Sequence, residues 1–140
     1  MDIQVAVLCD AATDNNGKLN ILGTFDTIFT GQLPAIHPQC SIALRMMFNK
    51  VEEGQHKVRL NFVDEDGKSL MQKPIEQQVD VQVPEDTIFL SRNFIVNIQN
   101  LRFEKEGLYS IDIAVDGRQE GSIPLLVRVP PKPAAAEQER

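Results

Sequence analysis

The sequence closes on a strand, a tight turn and a returning strand, and this hairpin limits what the whole chain can become. Tyr109, Ile111, Ile113 and Val115 alternate with Leu108, Ser110, Asp112 and Ala114, so an extended chain here buries one face and leaves the other mostly small or polar. Asp116 and Gly117 supply the positive-φ pair of a type I′ turn, and Ile123, Leu125, Val127 and Val129 resume the alternation on the way back. A hairpin with one apolar face needs a second layer to cover it, so the rest of the chain must provide one.

The remaining residues read as further strands. Ile3, Val5, Val7 and Cys9 make a first apolar face, followed by a polar loop over residues 10–17 that ends in the turn pair Asn16 and Gly17. Leu19, Ile21, Phe25 and Phe29 share a parity, with Gly23 marking a bulge or a close backbone approach. Pro34 and Pro38 make residues 31–38 a crossing between sheets. Cys40, Ile42, Leu44, Met46 and Phe48 form the next face, and Ala43 and Met47 soften the opposite one enough for it to be partly covered. Residues 51–55 read as a turn, and Val58, Leu60 and Phe62 then return as a second hairpin. Ile75, Val79, Val81 and Val83 alternate with fully polar positions, and Ile88, Leu90, Phe94, Val96 and Ile98 form a long strand bent near Arg92.

No stretch of ten residues shows helical periodicity, so the pattern predicts an all-β, antiparallel β-sandwich of about eight or nine strands, immunoglobulin-like or C2-like. Leu101, Gly107 and Tyr109 have the pattern of a tyrosine corner, in which the hydroxyl bonds to backbone a few residues upstream. Tyr109 and Gly117 are accordingly expected to be structural. The turn pairs at Asn16, Asp66 and Asp116 recur at equal spacing, but their flanks differ, so there is no repeat.

At 140 residues the chain is long enough for one self-sufficient core, expected over residues 1–129. Pro130, Pro131 and Pro133 stop the sheet, and residues 130–140 lack an apolar face, which predicts a disordered tail. A net charge of -6 disfavours nucleic acid and anionic lipid as partners. No apolar run nears the roughly 20 residues needed to insert in a membrane. The start has neither a basic segment nor a long apolar one, which points to a cytoplasmic location. Cys9 and Cys40 then read as small buried hydrophobes, with a disulfide between them left open.

The stretches MDIQVAVLCDAA, GKLNILGTFDTI and GLYSIDIAVDG with PLLV resemble an uncharacterised family of small bacterial all-β proteins, a domain of unknown function. The resemblance covers nearly all of the chain except the tail. It implies a bacterial, non-secreted β-sandwich and brings no activity, cofactor or site.

Three features bear on chemistry. Asp10, Asp14, Asp64 and Asp66, with Asn15, Asn16 and Glu65 nearby, place oxygen ligands in loops of the kind that hold calcium in C2-like domains; Asx-rich turns have the same composition for backbone reasons. His37 with Cys40, and His56 with Cys9, have the residue types of a zinc site without its paired spacing. No phosphate loop, nucleophile elbow or dinucleotide fingerprint is present, so neither catalytic residues nor a cofactor are assigned. Phe25, Ile28, Phe29, Leu33 and Ile36 make residues 23–38 more apolar than an ordinary crossing, as a lid on the core or a patch that a partner covers.

The function expected is therefore a non-catalytic interaction or accessory domain with a protein partner or a second copy of itself. A small-ligand or calcium-binding sandwich, or an enzyme with its site in the end loops, is the alternative. Residues 75–83 lack internal Pro and Lys, so an exposed edge there is open to strand pairing. Deleting residues 131–140 is expected to leave the melting temperature unchanged; a fall of several degrees would show that the tail docks.

Overall fold

The alternation at the end of the chain sets the frame. In a computed structural model that describes residues 1–131, β8 (Gly107–Val115) and β9 (Arg118–Arg128) form the closing hairpin, with Asp116 at φ 52° and Gly117 at φ 81° in its turn. Tyr109, Ile111, Ile113, Val115, Ile123, Leu125 and Val127 all point into the core. The expected tail lies outside the described residues from position 132 onward.

The other strands are β1 (Asp2–Asn15), β2 (Lys18–Phe25), β3 (Thr27–Phe29), β4 (Ala35–Asn49), β5 (Gly54–Val63), β6 (Ile75–Val81) and β7 (Phe89–Phe103). They make two sheets, β2-β1-β4-β7 and β3-β9-β8-β5-β6, that enclose one core. The architecture is all-β, and a short 3-10 turn, Lys50–Glu52, is the sole helical element among the described residues. No helix there is long and apolar enough to cross a membrane. Pairing is antiparallel throughout except that β3 lies parallel to β9, which a purely antiparallel reading did not foresee.

Several local expectations are corrected. Between Ile3 and Val5 the register of β1 against β4 slips by one residue, so a bulge at Gln4 reverses the parity. Ile3, Ala6 and Leu8 therefore face the core, whereas Val5, Val7 and Cys9 take the other face. Residues 10–15 are not a loop: they continue β1 up to the two-residue turn at Asn16 and Gly17. The bend lies instead at Gly23, whose φ of 68° belongs to the left-handed region and where a Cβ would come within 2.5 Å of Asp10 Oδ2. Beyond it the hairpin tip reaches across to β4 and β7, where Arg45 donates to the carbonyl of Gly17 (2.9 Å) and Asn93 to Asp14 Oδ2 (3.0 Å). Both faces of β4 are covered at this level, and Ser41 and Ala43 are as buried as Ile42.

β4 and β5 do not form a hairpin. The turn at Lys50–Glu52 carries the chain from one sheet to the other, so Phe48 and Val58 meet the core from opposite sides. Strand alternation alone cannot distinguish these outcomes, because either arrangement buries the same residues. Likewise β4 starts before Pro38 and runs through it. Pro38 and Asn100, which has φ 53°, sit at one step of the β4·β7 ladder where both strands reverse parity. Leu101 and Phe103 thus end β7 as core residues.

Around that end Phe62 and Phe103 pack edge to face at 6.2 Å, and Phe103 and Tyr109 at 5.0 Å. The Tyr109 hydroxyl donates to the carbonyl of Lys105 at 2.5 Å, closing the chain between β7 and β8. Phe103→Ala should cost about 3–5 kcal/mol, because a fully buried ring bridging both sheets leaves a cavity. Tyr109→Phe should cost about 1–2 kcal/mol by stranding the Lys105 carbonyl. Chemical denaturation checks both, as a lower midpoint at unchanged slope.

Candidate functional site

β2 and β3 are one strand that changes sheets at Asp26, whose carbonyl accepts from the amide of Leu126 at 2.8 Å. β2 is an edge of the first sheet and β3 an edge of the second, so this corner joins two free edges. Phe25 sits at the corner with its ring 5.6 Å from that of His37. One cleft of about 330 Å³ is lined by Asp10, Thr24, Phe25, Ile28, Phe29 and His37. A second, of about 290 Å³, lies on the other side of Phe25 against Leu8, Ile123 and Pro124. Phe29 is 64% exposed at the rim.

The structure thus brings Phe25, Ile28 and Phe29 together. Leu33 is half-buried on the crossing to β4, and Ile36, 55% exposed, lies opposite Arg102. As the neighbour of His37 on a strand, Ile36 points to the other face, so it does not line the cleft. His37 and Asp10 were not foreseen there. Their approach follows from the parity reversals at Pro38 and the bend at Gly23, which alternation alone does not encode.

The other sequence candidates are dispersed. Asp14 accepts from the amide of Gly17 (2.9 Å) and from Asn93, and the Asn93 bond above all holds its pKa below the usual carboxylate value. Asp64 accepts from the amides of Asp66 and Lys68, both at 2.9 Å, and Asp66 pairs with Lys105 at 3.7 Å. Asp10 lies against Gly23. Asp14 and Asp64 cap turns, and among the described residues no group of three His, Cys, Asp or Glu is placed to hold a metal ion.

Cys9 and Cys40 are free and buried. Cys40 faces the core and Cys9 the opposite side of the sheet. Burial pushes both pKa values up, that of Cys40 to about 11, so neither is a thiolate near neutral pH. At one end of the molecule a cleft of about 500 Å³ is lined by Asp64, Lys68, Arg102, Glu104, Lys105 and Tyr109. Burial raises the Tyr109 pKa, and its proton is already donated to Lys105.

His56 belongs to a clasp between the sheets. Its Nδ1 lies 2.6 Å from Asp116 Oδ2 and its Nε2 2.5 Å from the carbonyl of Glu52, while its ring stacks on Phe48. Both partners are acceptors, so the imidazolium satisfies both; the Glu52 carbonyl first, then Asp116, raise the His56 pKa. Glu52 accepts from the amide of Asn49 and pairs with the Met1 ammonium, and Asp116 accepts from the amide of Lys57, which lowers both carboxyl pKa values.

Residues 4–128 match a family of unknown function, DUF6941, and the chain belongs to that family. No curated protein matches the sequence.

The clasp makes stability depend on pH in two directions. His56, with its folded pKa raised, contributes fully below about pH 6.5 and loses that contribution as pH rises through the folded value. Glu52 and Asp116, with folded pKa values lowered, contribute above about pH 4 and lose it as pH falls through the folded values. The melting temperature should peak between these limits, and His56→Gln should flatten the fall above about pH 6.5 while keeping the acid limb. Melting curves across pH decide this; an unchanged alkaline limb in the variant removes the clasp from the account.

Proposed function

We propose that this member of the DUF6941 family is a non-catalytic interaction domain, an immunoglobulin-like sandwich that docks a protein partner at the corner formed by β2 and β3. The observation that carries this reading is Phe29, 64% exposed on a free sheet edge beside Phe25 and Ile28, with a shallow cleft on each side of Phe25. Single exposed apolar residues are ordinary, but Phe29, exposed beside the half-buried Phe25 and Ile28 and their clefts at the junction of two unpaired edges, offers an apolar anchor together with backbone partners. A protein ligand would set side chains into the clefts and add main-chain hydrogen bonds to the β2 edge. The acid–base and nucleophilic groups support the same reading: the thiols are buried and protonated, and the Tyr109 proton is engaged.

A second reading, a small-ligand carrier, rests on the end cleft beside Tyr109, where Lys68, Arg102 and Lys105 alternate with Asp64, Asp66 and Glu104. Arg102 is paired with Glu104 at 2.6 Å and Lys105 with Asp66, so these charges are largely satisfied by one another.

Phe29→Asp should change stability by less than about 1 kcal/mol, since the side chain is exposed, and should abolish partner capture. Val51→Asp, at a position 94% exposed and far along the chain, serves as the control and should capture normally. Affinity capture with quantitative mass spectrometry compares the three proteins. Equal recovery by Phe29→Asp and wild type would overturn the proposal.

A further inference from the structure

The side of the molecule away from that corner carries a different edge. β6 and β7 end their sheets there, and a narrow apolar slot lined by Leu44, Val58, Leu60, Ile75, Phe94 and Val96 opens between them. β7 is 15 residues long and, among the described strands, its backbone ladder is formed with β4 alone. Its charges are Arg92 near one end and Arg102 near the other, and residues 93–101 contain neither charge nor proline. Natural edges are usually protected by charge, proline, shortness or a bulge, and residues 93–99, ahead of the parity step at Asn100, have none of these.

We infer that β7 pairs antiparallel with β7 of a second copy of this chain, joining two four-stranded sheets into one across a two-fold axis. The charge pattern selects a second copy as the occupant. With Val96 on the axis, Phe94 meets Ile98, Ile95 meets Asn97, Asn93 meets Gln99, and Arg92 meets Asn100, so no charge opposes another. Phe94, Val96 and Ile98 of each copy then extend the core over the mouth of the slot.

The other edges fit self-pairing less well. The same operation on β6 about Gln78 sets Glu76 against Asp80, and Glu76 is already engaged with Lys57 and Arg59. β2 bends at Gly23, and β3 is three residues long and parallel to its neighbour. In the β7 dimer the two Phe25 corners lie at the outer ends of the joined sheet, which would make the assembly bivalent; the pairing itself does not depend on what those corners bind.

Sedimentation of the full chain across a concentration series should show a monomer–dimer equilibrium. A Lys variant, Ile95→Lys with Asn97→Lys, places like charges opposite one another and should raise the dissociation constant by roughly tenfold or more. An Asp variant at the same two positions should do likewise, and an equimolar mixture of the two should dimerise again. Phe29→Asp should dimerise as wild type does, which separates this inference from the corner proposal. Because charged variants risk damaging the β4·β7 ladder, a second readout uses wild type alone: a mixture of labelled and unlabelled copies should give intermolecular Val96–Val96 contacts by NMR. A monomer at all concentrations, a dimer indifferent to the charged variants, or a dimer without Val96 contacts would overturn the inference.

Discussion

One core serves two sheets, and the chain must keep delivering apolar side chains to it while changing sheets. Apart from two hairpins and the long β5–β6 connection, each successive strand enters the opposite sheet, at Asp26, at residues 30–34, at Lys50–Glu52, and before and after β7. A strand has a period of two, so an added residue or a kink sends the next apolar set to the wrong face unless compensated. The fold compensates at particular places. The bulge at Gln4 turns Leu8 inward, and the paired step at Pro38 and Asn100 turns Leu101 and Phe103 inward to meet Phe62 and Tyr109.

This constraint explains what was legible in the residues. The alternation of β8, of β9 from Ile123 on, of β4 over Cys40 to Phe48, and of Val58, Leu60 and Phe62 names the core-facing residues correctly, because the bulge that β9 carries opposite Ile113 and Ala114 falls before Ile123. The second hairpin was misread because alternation reports which side chains are buried and not which sheet holds the strand. The face of β1 was misread because a bulge leaves no mark in residue type when Gln4 is an ordinary exposed position. The parallel β3·β9 pair had no local signal, since its partners lie almost 100 positions apart.

The candidate site was legible to the same degree. Phe25, Ile28 and Phe29 stand out as apolar residues on a segment that crosses between sheets, and they converge. Ile36 does not, because its direction depends on the β4·β7 step. His56 was indistinguishable from a loop histidine in the sequence, since Asp116 lies 60 positions away. The functional picture that results is one of surfaces and edges. Asp14, Glu52, His56, Tyr109 and Asp116, whose pKa values are shifted, hold turns and sheet crossings together, and on the proposed reading a partner would meet apolar side chains and unpaired backbone.

That division is tested most directly by residue-resolved amide hydrogen exchange on dilute, monomeric protein. Amides of β4, β5 and β8, which are paired on both sides, should exchange slowest, while every second amide of β2 and the outward amides of β3 should exchange within the dead time or close to it. Uniformly strong protection across β2 and β3 would mean that the corner is already covered within the chain, and it would contradict an account in which those edges are held open for a partner.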